Sequence, residues 1–178
     1  MAYSASAIAN ALLDIGRENC AQDLTPMKLQ KLVYFAQGWH SAVANQDLIN
    51  EPIEAWQYGP VVPSIYDKAK KYGNSPITGY LGSYVPTPQG QMVLVPDRLS
   101  NQELETIKPF LDWIWEQYGH YSGIALSNIT HLPGTPWSET MQTMQQEFGA
   151  IRPHTDIPRE SIKNYFHSQM ENLVPNNA

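Results

Sequence analysis

Two sets of side chains in this chain have the chemistry of a catalytic site. His131 closes a helical stretch and precedes the turn Leu132-Pro133-Gly134-Thr135-Pro136-Trp137. With a carboxylate such as Glu54, an imidazole in that position can serve as the general base of a small hydrolase or transferase. Glu51 and Glu54 form a second candidate, an acid/base pair on one strand. Each set has a plainer alternative: an imidazole that fixes a loop by hydrogen bonds to carbonyls, and carboxylates that keep a strand edge in water.

Other catalytic signatures are absent from the sequence. It holds no GxGxxG, Walker loop, GxSxG elbow or HExxH. His40, His120, His131, His154 and His167 lack the i, i+3 or i, i+4 spacing that puts two imidazoles on one helix face, so no metal ligand set is assigned. Cys20 is the single cysteine, which forbids an internal disulfide and suits a reducing compartment. No catalytic residue and no cofactor is expected.

Residues suited to recognition are easier to find. Trp56 and Tyr58 flank the turn Gly59-Pro60-Val61, and aromatic side chains beside a turn either anchor an interface or staple a strand to its neighbour. Lys28 and Lys31 either meet a partner or keep one side of an apolar helix in water. The run Lys68, Lys70, Lys71 complements the C-terminal end of a helix dipole.

The elements that position these residues follow from periodicity and caps. Ser4 or Ser6 starts a helix to about Arg17, with Ile8, Leu12 and Ile15 at helical steps. Thr25 as N-cap and Pro26 at the first helical position start a second helix, reaching about Val43, ~28 Å long. Its apolar face holds Leu29, Leu32, Val33, Ala36, Trp39 and Val43, leaving Gln30, Tyr34, Gln37, Ser41 and Asn45 as a polar stripe. A helix this apolar belongs at the centre of the fold. Glu51–Tyr58 reads as a strand ended by Gly59-Pro60. Pro63 opens a helix through Lys71, with Gly73 as a left-handed cap.

Two β candidates, Ile77–Leu81 and Gln91–Val95, are expected to form a ribbon that pairs with the Ile53 strand. Ser100 and Glu103 make a capping box for a helix ending at Gly119. Short helices follow from Ser122 to Thr130 and from Ser138 to Phe148, and a last one runs from Arg159 to about Met170. The expected fold is mainly α (α+β): about six helices around a central apolar helix, with a small antiparallel β element. Residues 1–170 form one domain and 171–178 a frayed tail.

Composition narrows the class. Five Trp, ten Tyr and four Phe within 42% hydrophobic residues describe a packed globule. The N-terminus lacks the basic region and long apolar core of a signal peptide, and no run suits a membrane span. A soluble cytoplasmic protein is expected. Net charge is −6; residues 72–178 carry five basic against ten acidic side chains, the reverse of what phosphate binding requires. Nucleic acid is therefore not an expected partner.

Four blocks then carry a resemblance: LTPMKLQKLVYFAQGWH (24–40), EAWQYGPVVPSIYDKAKKYG (54–73), THLPGTPW (130–137) and IPRESIKNYF (157–166). In that order they resemble the Panacea domain, a family that includes SocA-like antitoxins and phage-associated GepA-like proteins. Thr25-Pro26-Met27 stands where many relatives have other small or polar residues, and Tyr80–Asp97 cannot be aligned residue by residue. The resemblance implies a non-enzymatic antitoxin that neutralises a protein toxin by direct binding. One branch also delivers its toxin to a cytoplasmic AAA+ protease as a proteolytic adaptor. The alternatives are a phage accessory protein that binds a host factor, and the His131/Glu54 hydrolase. The expected partner-binding residues are Lys28, Gln30, Lys31, Tyr34, Gln37, Glu54, Trp56, Tyr58, Gly59, Pro60, Val61 and His131. Oligomeric state is left open.

Overall fold

A computed structural model describes residues 2–150, 152 and 154–173, with the backbone alone for 171–173. Within them the chain runs α1 (Ala5–Glu18), α2 (Pro26–Ala44), β1 (Glu54–Trp56), β2 (Gly59–Val61) and α3 (Pro63–Ala69), which a 3-10 turn extends over Lys70–Tyr72. Then come β3 (Gly82–Pro86), β4 (Met92–Pro96), α4 (Asn101–Tyr118), α5 (Gly123–Thr130), α6 (Pro136–Phe148) and α7 (Arg159–Leu173). The mainly α fold with small antiparallel β elements is as expected.

Hydroxyl caps and prolines set most helix starts. Thr25 Oγ1 accepts from the Lys28 N–H ahead of Pro26, and Ser122 caps α5 in the same way. Ser100 and Glu103 form the reciprocal capping box of α4. Two starts differ from expectation. Helix α6 begins at Pro136 because Thr135, not Ser138, is its cap. At α1, Ser4 makes no side-chain cap; the Ala5 N–H is instead held by both carboxylate oxygens of Glu51, at 3.0 and 2.9 Å. An acidic group there also complements the helix dipole.

Helix α2 is central, packed against α1, α3, α4, α5, α7 and β2. Leu29, Leu32, Val33 and Ala36 are fully buried, and Phe166 of α7 fills the notch left by Gly38. A Cβ on residue 38 would stand 2.1 Å from that ring, so glycine is what lets α7 lie this close. Val43, expected on the apolar face, is 66% exposed because it lies in the last turn, beyond the packed neighbours.

The β structure is two separate hairpins, β1–β2 and β3–β4. The expected pairing of the ribbon with the Ile53 strand is not found. The outer edge of β1 is already taken, by an Ala55 N–H to Thr155 C=O bond (2.8 Å) and a bridge from Glu54 to Asp156. The ribbon's first strand also starts later than expected, at Gly82. Ile77 and Leu81 are buried loop residues, and fully buried Asn10 holds the Leu81 N–H and C=O and the Asp97 C=O through its amide. Beyond that staple, Tyr84, Val85, Met92, Val93 and Val95 are exposed.

Helix α7 runs past Met170 to Leu173, and the remainder of the expected tail, 174–178, lies outside the described residues.

Candidate functional site

Of the expected polar stripe, Gln30, Tyr34, Gln37 and Ser41 do not face water, while Asn45, the C-cap residue of α2, is exposed as expected. Gln30, Lys31, Tyr34, Gln37 and Ser41 are buried, and so is Lys28. The stripe was read as solvent-facing because an amphipathic helix has one free side; a helix packed all round has none. Most of these polar groups are instead bonded to backbone. The Gln30 amide accepts from the Val62 N–H (2.9 Å) and donates to the Val62 carbonyl (3.0 Å), completing the ladder where β2 ends. Gln37 Oε1 accepts from the N–H groups of Leu48 and Ile49 at 2.9 Å each, and its Nε2 donates to Asp47. Lys28 Nζ donates to Asp23 (2.7 Å) and to the Gly119 carbonyl at the end of α4 (2.7 Å), near the face of Trp115. Tyr34 Oη makes no hydrogen bond, and burial pushes its phenol up. Its ring packs edge-on to Phe35 and Phe166.

Lys31 differs from Lys28. It is 1% exposed, and its ammonium donates to the Pro60 carbonyl at 3.0 Å. No carboxylate stands within ion-pair distance of it among the described residues. Burial alone lowers its pKa to about 7.

The β1–β2 hairpin sits directly on this lysine. Its register pairs Glu54 with Val61, Ala55 with Pro60 and Trp56 with Gly59, leaving Gln57 and Tyr58 as the turn. Gly59 has φ of 102°, and a Cβ there would come within 2.6 Å of Thr130 Oγ1 and 2.8 Å of Lys31 Nζ. Three further contacts fix the turn: Trp137 Nε1 to the Trp56 carbonyl, Ser127 Oγ to the Tyr58 carbonyl (both 2.8 Å), and the Trp56 ring edge-on to Tyr66 at 4.7 Å. Glu54, Gly59, Pro60 and Val61 are therefore buried, Trp56 is half-buried, and Tyr58 stands 61% exposed.

The catalytic alternative finds no support in this geometry. Glu54 Oε2 accepts from Trp56 Nε1 (2.7 Å) and lies 3.0 Å from His154 Nδ1. His131 packs edge-on against Trp137, with Nε2 buried and unpartnered. Burial first, then the Lys31 charge, hold the His131 pKa below its usual value. No hydrogen bond joins the two side chains. Among the described residues no group of three or more His, Cys, Asp or Glu is placed to hold a metal, and no helix is long and apolar enough to cross a membrane.

A cleft of about 380 Å³ opens between the hairpin, the first turns of α2, and α3, with Met27, Gln30, Lys31, Trp56, Tyr58 and Tyr66 in its walls. Sequence reasoning missed Met27 and Tyr66 as wall residues and Ser127 and His154 as hairpin partners. The aromatic Tyr66 one turn after Pro63 was the available signal for the wall; Ser127 gives none. A hollow of about 430 Å³ lies between α1 and α4. There Arg17 and Arg98 cover the Tyr80 ring, and Asp14 pairs with both arginines and the Tyr80 hydroxyl. Its central charges compensate one another, whereas Lys31, which lines the smaller cleft, has no carboxylate partner among the described residues.

Residues 29–138, from α2 into α6, match the family described as "Antitoxin SocA-like, Panacea domain". This chain belongs to that family. The matched stretch of the Panacea domain contains the hairpin, Lys31, Tyr66 and His131, and excludes α1 and α7. A segment of 64 residues is 42% identical to "Antitoxin SocA" of Caulobacter vibrioides (strain NA1000 / CB15N), covering 35% of this chain and 32% of that protein. The chain thus spans about a third of the length of the curated relative it matches. No solved structure matches it.

Proposed function

We propose that this Panacea-domain protein is a non-enzymatic antitoxin of the cytoplasm that neutralises a protein toxin by direct contact. The observation that carries the reading is the family match over residues 29–138. The face offered to the toxin is the Gln57–Tyr58 turn with the cleft beside it. There an exposed tyrosine is set on a turn locked from behind by Lys31, Ser127 and Trp137. A rigid aromatic projection next to an apolar cleft is the surface type on which binding energy concentrates. Gln30 lines the cleft, whereas buried Lys28, Tyr34 and Gln37 are bonded or packed elsewhere and are not offered to the toxin.

Co-expression with the product of the neighbouring reading frame tests the reading. The expected result is growth arrest by that product alone, relief by this protein, and copurification of the two; a harmless neighbour that never copurifies overturns it. Tyr58→Ala is expected to weaken copurification without changing the melting temperature. Toxin half-life with and without this protein then separates masking from delivery to a AAA+ protease.

A further inference from the structure

The β3–β4 ribbon leaves backbone groups open as well as side chains. Its register pairs Gly82 with Pro96, Tyr84 with Leu94 and Pro86 with Met92. The bonds just beyond each end, Asp97 N–H to Leu81 C=O (3.0 Å) and Thr87 N–H to Gln91 C=O (2.7 Å), fix which residues face inward. Residues of an antiparallel pair alternate between bonding the partner strand and facing away from it. Ser83, Val85, Val93 and Val95 therefore bond across the ribbon, whereas Tyr84, Met92 and Leu94 turn their N–H and C=O groups outward. Pro86 and Pro96 also fall at outward positions, where a missing N–H costs the ribbon nothing. Among the described residues no further strand or loop bonds the outward groups of Met92 and Leu94.

Such directional groups are met by water or by another strand, and a ribbon of two strands gains stability from a third. Charge narrows the choice of strand. The chain carries −6, so two copies repel one another over most of their surface. The uncharged run 72–96, the longest in the sequence, is where a second copy approaches at least Coulomb cost. A basic partner, which the net charge attracts, finds no carboxylate at this edge to choose it by. The β3 edge offers less than β4: between half-buried Gly82 and Pro86 only Tyr84 presents an outward N–H.

We propose that the outer edge of β4 pairs antiparallel with the same edge of a second copy, about a two-fold axis at Val93, joining the two ribbons into one sheet. Met92 of each copy then stands opposite Leu94 of the other, and the outward N–H and C=O groups of both residues are all bonded. A register shifted toward Pro96 leaves the Met92 carbonyl without a donor, because proline has none. One shifted toward the turn needs the Gly90 N–H, which the Thr87 carbonyl already holds at 2.9 Å. The side chains agree with the centred register: Met92 lies beside Leu94 and Val93 beside its own copy, so every pair at the centre of the seam is apolar. The contact is isologous and uses the same strand from each copy. It does not involve the Gln57–Tyr58 turn or its cleft, and stands or falls apart from the antitoxin reading.

Sedimentation velocity of the full chain from about 5 to about 500 µM tests the pairing, since a contact this small makes a weak dimer. The expected result is a rise from one copy to two across that range, with amide exchange at Met92 and Leu94 slowing in step with the dimer fraction. Leu94→Pro deletes an outward N–H and no bond within the ribbon. It is expected to weaken association at least about tenfold, the worth of the hydrogen bonds it removes. The melting temperature and the NMR contacts between opposed Val85 and Val93 should stay as they are in the parent. Met92→Glu, which leaves the backbone intact and puts like charges in the seam, is expected to weaken association as well. Tyr84→Pro, the same backbone change on the β3 edge, and Tyr58→Ala are expected to leave it unchanged. A monomer at every concentration overturns the proposal, as does a dimer indifferent to Leu94→Pro and Met92→Glu or one lost with Tyr84→Pro. A chain that stays monomeric and gains protection at Leu94 only when the neighbouring gene product is added overturns it too, and gives the edge to a foreign strand.

Discussion

On α2 two lysines, two glutamines and a tyrosine lie in the interior, while on the β3–β4 ribbon Tyr84, Val85, Met92, Val93 and Val95 lie in water. The two regions reverse the usual relation of polarity to burial. On α2, Lys28, Gln30, Lys31 and Gln37 replace partners that nearby backbone lacks: the Val62 amide past the hairpin, the Leu48 and Ile49 N–H groups in a loop, and carbonyls at Pro60 and Gly119. The ribbon is a separate sheet of two strands, and among the described residues these apolar side chains stay exposed. Position in the layering decides exposure, and side-chain polarity follows only where neighbours leave a choice. Residues 72–96, which include the ribbon, hold no charged side chain at all, so its exposed surface lacks the charges that ordinarily guard open strands.

If the polar interior is the structural half of this comparison, its substitutions should be costly. Gly59→Ala, which drives a Cβ into Thr130 and the Lys31 ammonium at a φ of 102°, is expected to lose roughly 4 kcal/mol in denaturant unfolding. A loss below about 1 kcal/mol would mean the hairpin does not rest on the lysine. Lys31 itself makes a signed prediction. Its pKa is lower folded, about 7, than unfolded, 10.5, so the unfolded chain binds more protons between these values and stability rises with pH there. The rise is on the order of 3 kcal/mol. Lys31→Met should remove it and be the more stable protein at pH 6. Measurements kept below pH 9.5 avoid the buried phenols of Tyr34 and Tyr118, whose raised values act at higher pH in the opposite direction.

Gln37→Leu leaves two buried N–H groups without an acceptor and is expected to cost about 2 kcal/mol by thermal unfolding. At the small end, Val85→Ser with Val93→Ser, a directly opposed pair on the ribbon, should change stability by less than about 0.5 kcal/mol. A large loss from that pair would erase the contrast between the regions.

Much of the fold was legible because helix starts are local. Thr25-Pro26, the Ser100–Glu103 box and Ser122 act within one turn of themselves, and periodicity marked α2 as central. The candidate site was only half legible. The aromatic turn could be found from Trp56, Tyr58 and Gly59 together, but the fate of Gln30, Lys31 and Gln37 depends on Val62, Pro60 and Leu48, partners 11 to 32 residues away. Nothing in helical spacing distinguishes a glutamine that faces water from one that faces a stray amide. The ribbon was misplaced for a related reason: Ile77 and Leu81 look like strand, yet Asn10, some seventy residues earlier, holds the segment as a buried loop.

The Gly38 notch bears on where this domain can be cut. Phe166, which fills it, also makes edge contacts with Tyr34, Phe35 and Trp39, and it lies 28 residues beyond the last position of the family match. A fragment trimmed to that match would carry an open aromatic socket along its central helix. In this chain the matched stretch is shorter than the packed core, which also holds Ile162 and Phe166. A shortened clone is therefore expected to report on a sticky, loosened core, and a toxin caught by it would say little about the intact surface.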